Sequence, residues 1–151
     1  MEKTKILVIC SGYFNPIHKG HIEYLKRSKE LGTYLYVIVN NDLQREMKGS
    51  RPFMEAEERK LIVESLKFVD EAMVSIDDDR MVNRSIKWIM MKMGHQFDLV
   101  YFANGGDQNK DTIGETQLCN ELGIQLVDNL GDKIQSSSKL IKDSNEFYNR
   151  K

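Results

Sequence analysis

The chain has 151 residues, with 22 Lys and Arg against 23 Asp and Glu, for a formal net charge of −1. That length suits one domain with a core large enough to need no staples, and 40% hydrophobic with 30% charged residues excludes a disordered chain. Balanced charge argues against a nonspecific nucleic-acid or membrane-surface binder. The longest apolar runs, residues 6–10 and 34–39, fall far short of the ~18 residues of a membrane span. The opening residues lead into too short an apolar stretch for a secretory signal. Cys10 and Cys119 cannot make a disulfide framework, and neither sits in a CxxC pair. A soluble cytoplasmic protein is the expectation.

Residues 6–10 form a continuous apolar run closed by Ser11 and Gly12, the pattern of a strand buried on both faces. A helix with apolar Ile22, Leu25 and Leu31 follows, with Gly32 at the position just past its C-cap. Residues 34–39 read as a second buried strand ending in Asn40-Asn-Asp42. Residues 43–51 read as a polar loop before Pro52, and 54–69 as a long amphipathic helix with Leu61, Ile62, Leu66 and Val69 on one face. A third strand is predicted at 72–76. Asp77-Asp-Asp79 then opens a helix running to about Met93, where Gly94 stops it.

A fourth strand over 98–103 ends in Asn104-Gly-Gly-Asp107, and a helix over 114–122 leads to a fifth strand over 124–127. Residues 131–138 precede a short last helix. Strands and helices alternate throughout, which predicts a single α/β Rossmann-like domain: a five-stranded parallel sheet with helices on both faces. The domain is expected over residues 1–143, with a frayed tail at 144–151.

In open α/β sheets, ligands bind beyond the carboxyl ends of the strands. Four segments rich in Gly, His, Asn, Ser, Lys and Asp meet there: residues 11–21, 40–51, 103–107 and 131–138. His18 and His21 are three apart at a helix start, so they project from one side, one above the other. Free backbone N–H groups and the positive end of the helix dipole point to the same place, a donor array suited to phosphate oxygens. Gly20 between them removes a side chain where a ligand or neighbouring backbone must come close. A pair of surface histidines, or a metal pair awaiting a third ligand, are the alternatives, and the only other histidine is His95.

Several features read more simply as structure. The three aspartates at 77–79 make a charged turn that caps the next helix. Met90, Met91 and Met93 beside Trp88 suit a core or a subunit contact. His95 is a helix-end residue, and the two cysteines are buried apolar fillers.

Gly12-Tyr-Phe-Asn-Pro-Ile-His18-Lys-Gly20-His21 resembles the HxGH signature of the nucleotidyltransferase superfamily that includes the cytidylyltransferases and small adenylyltransferases. Later segments resemble that family's landmarks in order: Asn40-Asn-Asp42, Lys48-Gly-Ser-Arg51-Pro52, Glu58-Arg59, Val69-Asp70, Gly105-Gly-Asp107 and Ser136-Ser-Ser138. The four-letter signature alone is weak; the ordered set, spanning roughly residues 5–142, is specific.

The resemblance implies an enzyme that joins an acceptor phosphate to the α-phosphorus of a nucleoside triphosphate and releases pyrophosphate. Catalysis then rests on positioning and charge stabilisation, with no covalent intermediate. By carry-over, His18 and His21 contact the triphosphate and stabilise the transition state, and Lys48 is a mobile cation reaching the phosphates. The resemblance assigns Gly12, Tyr13, Phe14, Asn15, Gly20, Gly106, Asp107, Lys133, Gln135, Ser136, Ser137 and Ser138 to the nucleotide. Arg51, Arg59 and Asp42 fall to the acceptor, with a wet i,i+4 pairing to Glu55 as the alternative for Arg59 and a loop cap as the alternative for Asp42. Mg²⁺ is implied, bound mainly through the triphosphate, with no metal site on the protein.

Ile141 stands where many members carry a basic residue, which leans toward the heptose-1-phosphate adenylyltransferase branch. The glycerol-3-phosphate cytidylyltransferase branch shares Glu58-Arg-Lys-Leu-Ile62 and Val69-Asp-Glu71, but of its usual arginine near residues 131–133 only Lys133 could take the place. Adenylyl transfer from ATP to a phosphorylated sugar or polyol is therefore favoured over cytidylyl transfer from CTP. A catalytically silent nucleotide-binding sensor is the alternative of another class. Relatives commonly form homodimers, and neither nucleic acid nor membrane is an expected partner.

Overall fold

A computed structural model describes residues 3–105 and 113–130. In chain order these form β1 (Ile6–Gly12), α1 (Lys19–Glu30), β2 (Tyr34–Val39), α2 (Asp42–Lys48), α3 (Ala56–Glu64), β3 (Glu71–Val74), α4 (Asn83–Met93), β4 (Leu99–Gly105), α5 (Ile113–Leu122) and β5 (Gln125–Leu130), with a 3₁₀ turn at Gly94–Gln96. The two continuous apolar runs become β1 and β2, and every residue of β2 after Tyr34 is buried. All strand pairs are parallel, in the order β3-β2-β1-β4-β5. The expected α/β Rossmann-like sheet is thus the fold.

Side-chain alternation along the strands divides the core in two. Val8, Cys10, Leu35, Val37 and Val39 pack under Tyr24 and Leu25 of α1 and Val63 of α3. Leu7, Ile9, Tyr36, Ile38 and Phe102 pack under Ile86, Ile89 and Met93 of α4 and Leu118 and Cys119 of α5. Helices therefore cover both faces. The chain moves outward from β1 through β2 to β3, then returns to the other side of β1 for β4. Strand order reverses between β1 and β4, the topological switch point at which such sheets bind ligands.

Four sequence expectations are corrected. The polar stretch 43–51 is not a loop: its first half is α2, which buries Gln44 and Arg45 and leaves Leu43 and Met47 about half exposed. The helix expected over 54–69 is confined to Ala56–Glu64, because Leu66 to Val69 turn back into β3. Asp77 does cap α4, its carboxylate accepting the Arg84 and Ser85 N–H groups at 2.7 and 3.1 Å, but the helix begins only at Asn83. Strand boundaries shift to Glu71–Val74 and Gln125–Leu130.

Cys10 and Cys119 are buried free thiols whose pKa values burial pushes up to about 11, which leaves them unreactive. Met93 joins the core, whereas Met91 is exposed and Trp88 lies partly open beneath the Lys92 ammonium. No described helix is long and apolar enough to cross a membrane. The tail at 144–151 lies outside the described residues.

Candidate active site at the switch point

β1 delivers the chain to the switch point through Gly12, Tyr13, Phe14 and Asn15. Phe14 has φ +53°, a left-handed backbone uncommon for a bulky residue and worth about 1–2 kcal/mol of strain. Its ring lies where a Cβ on Gly12 would be, 2.9 Å from the nearest ring carbon, so only glycine fits at position 12. The same ring stands edge-on to His21, with centroids 5.0 Å apart. The backbone strain thus holds an aromatic wall against a catalytic candidate.

His18 is the N-cap of α1. Its Nδ1 accepts the Gly20 N–H at 3.1 Å, and the Nδ1 of His21 accepts the His18 N–H at 3.2 Å. Two imidazoles thereby make the reciprocal pair of cap bonds that Ser and Glu usually make. The rings stack with centroids 3.9 Å apart, on one side of the helix as the spacing predicts. With both Nδ1 lone pairs committed to backbone N–H groups, each neutral ring carries its proton on Nε2. Burial lowers the pKa of His18. The His21 pKa falls to about 3, chiefly from burial, then from the adjacent His18 and the Lys48 charge. Among the described residues the buried His18 Nε2 has no hydrogen-bond partner, a donor that an incoming oxygen would satisfy.

Lys48 ends α2, and its ammonium stands 4.4 Å from the centroid of the Tyr13 ring. Its charge is felt at His21, which places the ammonium beside the neutral histidine pair. Asn15 is buried; its Nδ2 donates to the Arg51 carbonyl at 2.6 Å, while its Oδ1 accepts from none of the described residues. Arg51 itself is exposed at this rim.

Burial corrects the acceptor-facing position expected of Arg59, while Asp42, its partner, stays partly exposed. Arg59 is fully buried, neither a wet partner of Glu55 nor open to an acceptor. Its guanidinium donates to the Met54, Tyr13 and Asn40 carbonyls at 3.1, 2.7 and 2.8 Å and to the Asp42 carboxylate at 2.9 Å. Asp42 also accepts the Ala56 N–H. The pair therefore ties together the turn after β1, the end of β2, α2 and α3. Arg59 thereby fixes the Tyr13 carbonyl and the start of the helix that carries Lys48.

Sequence reasoning did not single out Tyr24, Asn104 or Asp128. The Tyr24 hydroxyl donates to the Ala103 carbonyl at 2.5 Å and locks α1 to the end of β4; its position one helical turn after His21 was the available signal. Asn104, buried on β4, donates through Nδ2 to Asp128 on β5 at 3.1 Å. Gly106, Asp107, Lys133, Gln135, Ser136, Ser137 and Ser138 lie outside the described residues. Among the described residues, no three His, Cys, Asp or Glu side chains gather as a metal cage.

Paired Nε2–H donors over a helix N-terminus, set at the switch point of a parallel sheet, define a Rossmann-like enzyme built to hold phosphate groups. The chain belongs to the cytidylyltransferase-like family, which matches residues 9–143, and is a nucleotidyltransferase. It is 29% identical over 147 residues to the FAD synthase of Picrophilus torridus, covering 95% of this chain and 99% of that one. With the FAD synthase of Thermococcus sibiricus it shares 45% identity over 111 residues, 73% of this chain and 69% of the relative. A shorter match, 38% over 63 residues, covers 42% of this chain and 48% of the glycerol-3-phosphate cytidylyltransferase of Staphylococcus aureus. The crystal structure of the lipopolysaccharide core biosynthesis protein from Thermoplasma volcanium superposes with TM-score 0.62 at 30% identity, covering 83% of this chain and 97% of that one.

Proposed function

We propose that this nucleotidyltransferase transfers the adenylyl group of ATP to the phosphate of a phosphorylated polyol, with FMN as the acceptor. An oxygen of the ribityl phosphate attacks the α-phosphorus, a new P–O–P link forms, and the bond to the β-phosphate breaks to release pyrophosphate. The product is FAD. The observation that carries the reading is the His18 and His21 pair: both Nδ1 atoms are spent on backbone N–H groups, and the His18 Nε2–H, without a partner among the described residues, is left for a phosphate oxygen.

Neither imidazole has a free lone pair for use as a general base, and none is needed. A phosphate monoester with a second pKa of ~6 is already ionised at neutral pH. The chain's contribution is to orient the triphosphate and to stabilise charge as it develops on the α-phosphate. Lys48 adds a full positive charge from α2. Long similarity to proteins named FAD synthases favours FMN among phosphorylated polyols.

Mg²⁺ would enter this site as a companion of the triphosphate. Asp77, the buried member of the aspartate run, is occupied by Ser75, Ser85 and the start of α4. When bound, the ion would supply charge neutralisation on the phosphate oxygens.

The test combines the protein, Mg²⁺ and FMN with ATP, following FAD by chromatography and pyrophosphate by coupled assay. A parallel reaction holds CTP and glycerol 3-phosphate. Equimolar FAD and pyrophosphate from the first reaction are expected. Turnover confined to the second overturns the acceptor and the base together, and nucleotide binding without turnover in either supports the silent sensor instead.

A further inference from the structure

Buried polar atoms without partners are few in folded proteins and mark places where something is missing. Of the five such atoms among the described residues, three belong to segments that meet at the carboxyl end of β1: His18 Nε2, Asn15 Oδ1 and Asn104 Oδ1. His18 offers a donor, which suits phosphate. The two amides offer acceptors, which a phosphate cannot satisfy.

Asn104 is 3% exposed. It lies on β4 two residues past Phe102, the partner of Ile9 in the register of β1 and β4. That places it at the switch point, on the side of β1 opposite α2 and Lys48. Its amide cannot choose its orientation freely. Asp128 can only accept, so the Nδ2 group that bonds it at 3.1 Å is fixed, and Oδ1 is presented elsewhere as an acceptor.

The local backbone is built for this contact. β4 and β5 pair Ala103 with Val127 and then Gly105 with Leu130, so Asp128 and Asn129 stand opposite Asn104 alone. Such bulges re-aim side chains and recur beside active sites. Here the bulge brings a carboxylate to the Asn104 amide.

We propose that Asn104 is a base-reading residue: its Oδ1 accepts a hydrogen bond from the exocyclic amino group of the nucleotide base. The triphosphate, held over α1 by His18 and His21, leaves the nucleoside to extend toward β4 and β5. An amino group at that position of adenine or cytosine donates to Oδ1. The oxo group of hypoxanthine or uracil meets it acceptor to acceptor, leaving both unpaired. The inference rests on nucleotidyl transfer and is independent of the acceptor's identity.

Affinities are measured by calorimetry for the matched pairs ATP and ITP, CTP and UTP, together with 2′-deoxy-ATP. The wild-type protein should bind the amino-bearing member of its preferred pair at least about tenfold more tightly than the oxo member. Asn104→Leu should bring that ratio close to one while leaving the ratio of ATP to 2′-deoxy-ATP unchanged. Asp128→Asn, at an exposed position, frees the amide to turn and should lower the amino preference in part; it serves if the leucine variant does not fold. An equal loss of affinity for both members of a pair would make Asn104 purely structural and overturn the proposal. A change confined to the 2′-deoxy ratio would assign Oδ1 to the ribose and overturn it as well, as would a wild-type protein indifferent to the amino group.

Discussion

His18 and His21 together hold the first turn of α1: the Nδ1 of His18 accepts from Gly20, the Nδ1 of His21 accepts from His18, and the ring centroids lie 3.9 Å apart. One pair of side chains thus both caps α1 and fixes the tautomer of two donors. Structural and catalytic contributions can be separated because asparagine is also a good N-cap. His18→Ala should lower unfolding free energy by about 1 kcal/mol and kcat by about 10²–10³-fold. His18→Asn should recover most of the stability in urea titrations but little of the kcat. Equal recovery of both would make His18 a cap and nothing more.

The depressed pKa of His21 predicts a particular pH dependence of stability. Folded, the ring stays neutral down to about pH 3; free of the fold, it titrates near its ordinary 6.5. Between those values the unfolded chain binds the extra proton. Stability from this group is therefore complete above pH 6.5 and is lost as pH falls toward 3, at up to about 1.4 kcal/mol per pH unit. Urea midpoints should fall between pH 7 and 4, and His21→Asn should fall less steeply. Identical slopes would mean that His21 is not held neutral.

How much of this was legible in the sequence depends on what each element buries. β1 and β2 are buried on both faces, so their apolar runs named them directly. α2 was missed because its pattern is inverted: Gln44 and Arg45 are buried and Leu43 and Met47 face out, so hydrophobic periodicity gives no signal. Its caps were readable all the same, Asn41 and Gln44 as a capping box and Gly49 in a left-handed conformation at φ +81°. The histidine pair was found by spacing, and its stacking followed. The role of Arg59 could not be found that way, since a fully buried arginine between carbonyls of distant segments has no local signature. Asn104 and Asp128 depend on a bulge between strands, which spacing along the chain does not encode.

Arg59 and Asp42 yield a prediction about the site's frame. Removing the guanidinium leaves the Tyr13 and Asn40 carbonyls without this buried donor and deprives Asp42 of its nearest cation. Arg59→Ala should cost about 3 kcal/mol or more of unfolding free energy. Arg59→Lys keeps the charge but cannot reach four acceptors with three donors, so it should cost about 1–2 kcal/mol. Because Arg59 positions Tyr13 and α2, the lysine variant should also raise KM for the triphosphate. An Arg59→Lys enzyme with unaltered KM would show that the latch does not set the nucleotide turn.

Lys48 should act through charge rather than shape. It sits at the end of α2, against the Tyr13 ring, and its field reaches His21. Lys48→Met keeps much of the aliphatic stem and removes the charge, so kcat/KM should fall by about tenfold or more with little change in Tm. The wild-type kcat/KM should decline with ionic strength, and the methionine variant's should decline less. Parallel salt profiles would place the Lys48 charge outside the reaction.

Gly12 gives the most direct test of the turn that shapes the site. A methyl at this position would meet the Phe14 ring at 2.9 Å, closer than a real Cβ tolerates, and the ring cannot retreat without moving along His21. Phe14 is also fully buried and already in a strained backbone conformation, so relief must come from rearrangement of the turn. Gly12→Ala should therefore destabilise by about 1–3 kcal/mol and reduce kcat far more than the stability loss alone accounts for. Adding Phe14→Leu takes away the ring that the methyl strikes. The double variant should recover stability relative to Gly12→Ala but not kcat, because the wall beside His21 is then gone. Recovery of both would show that the aromatic wall has no part in holding the histidine.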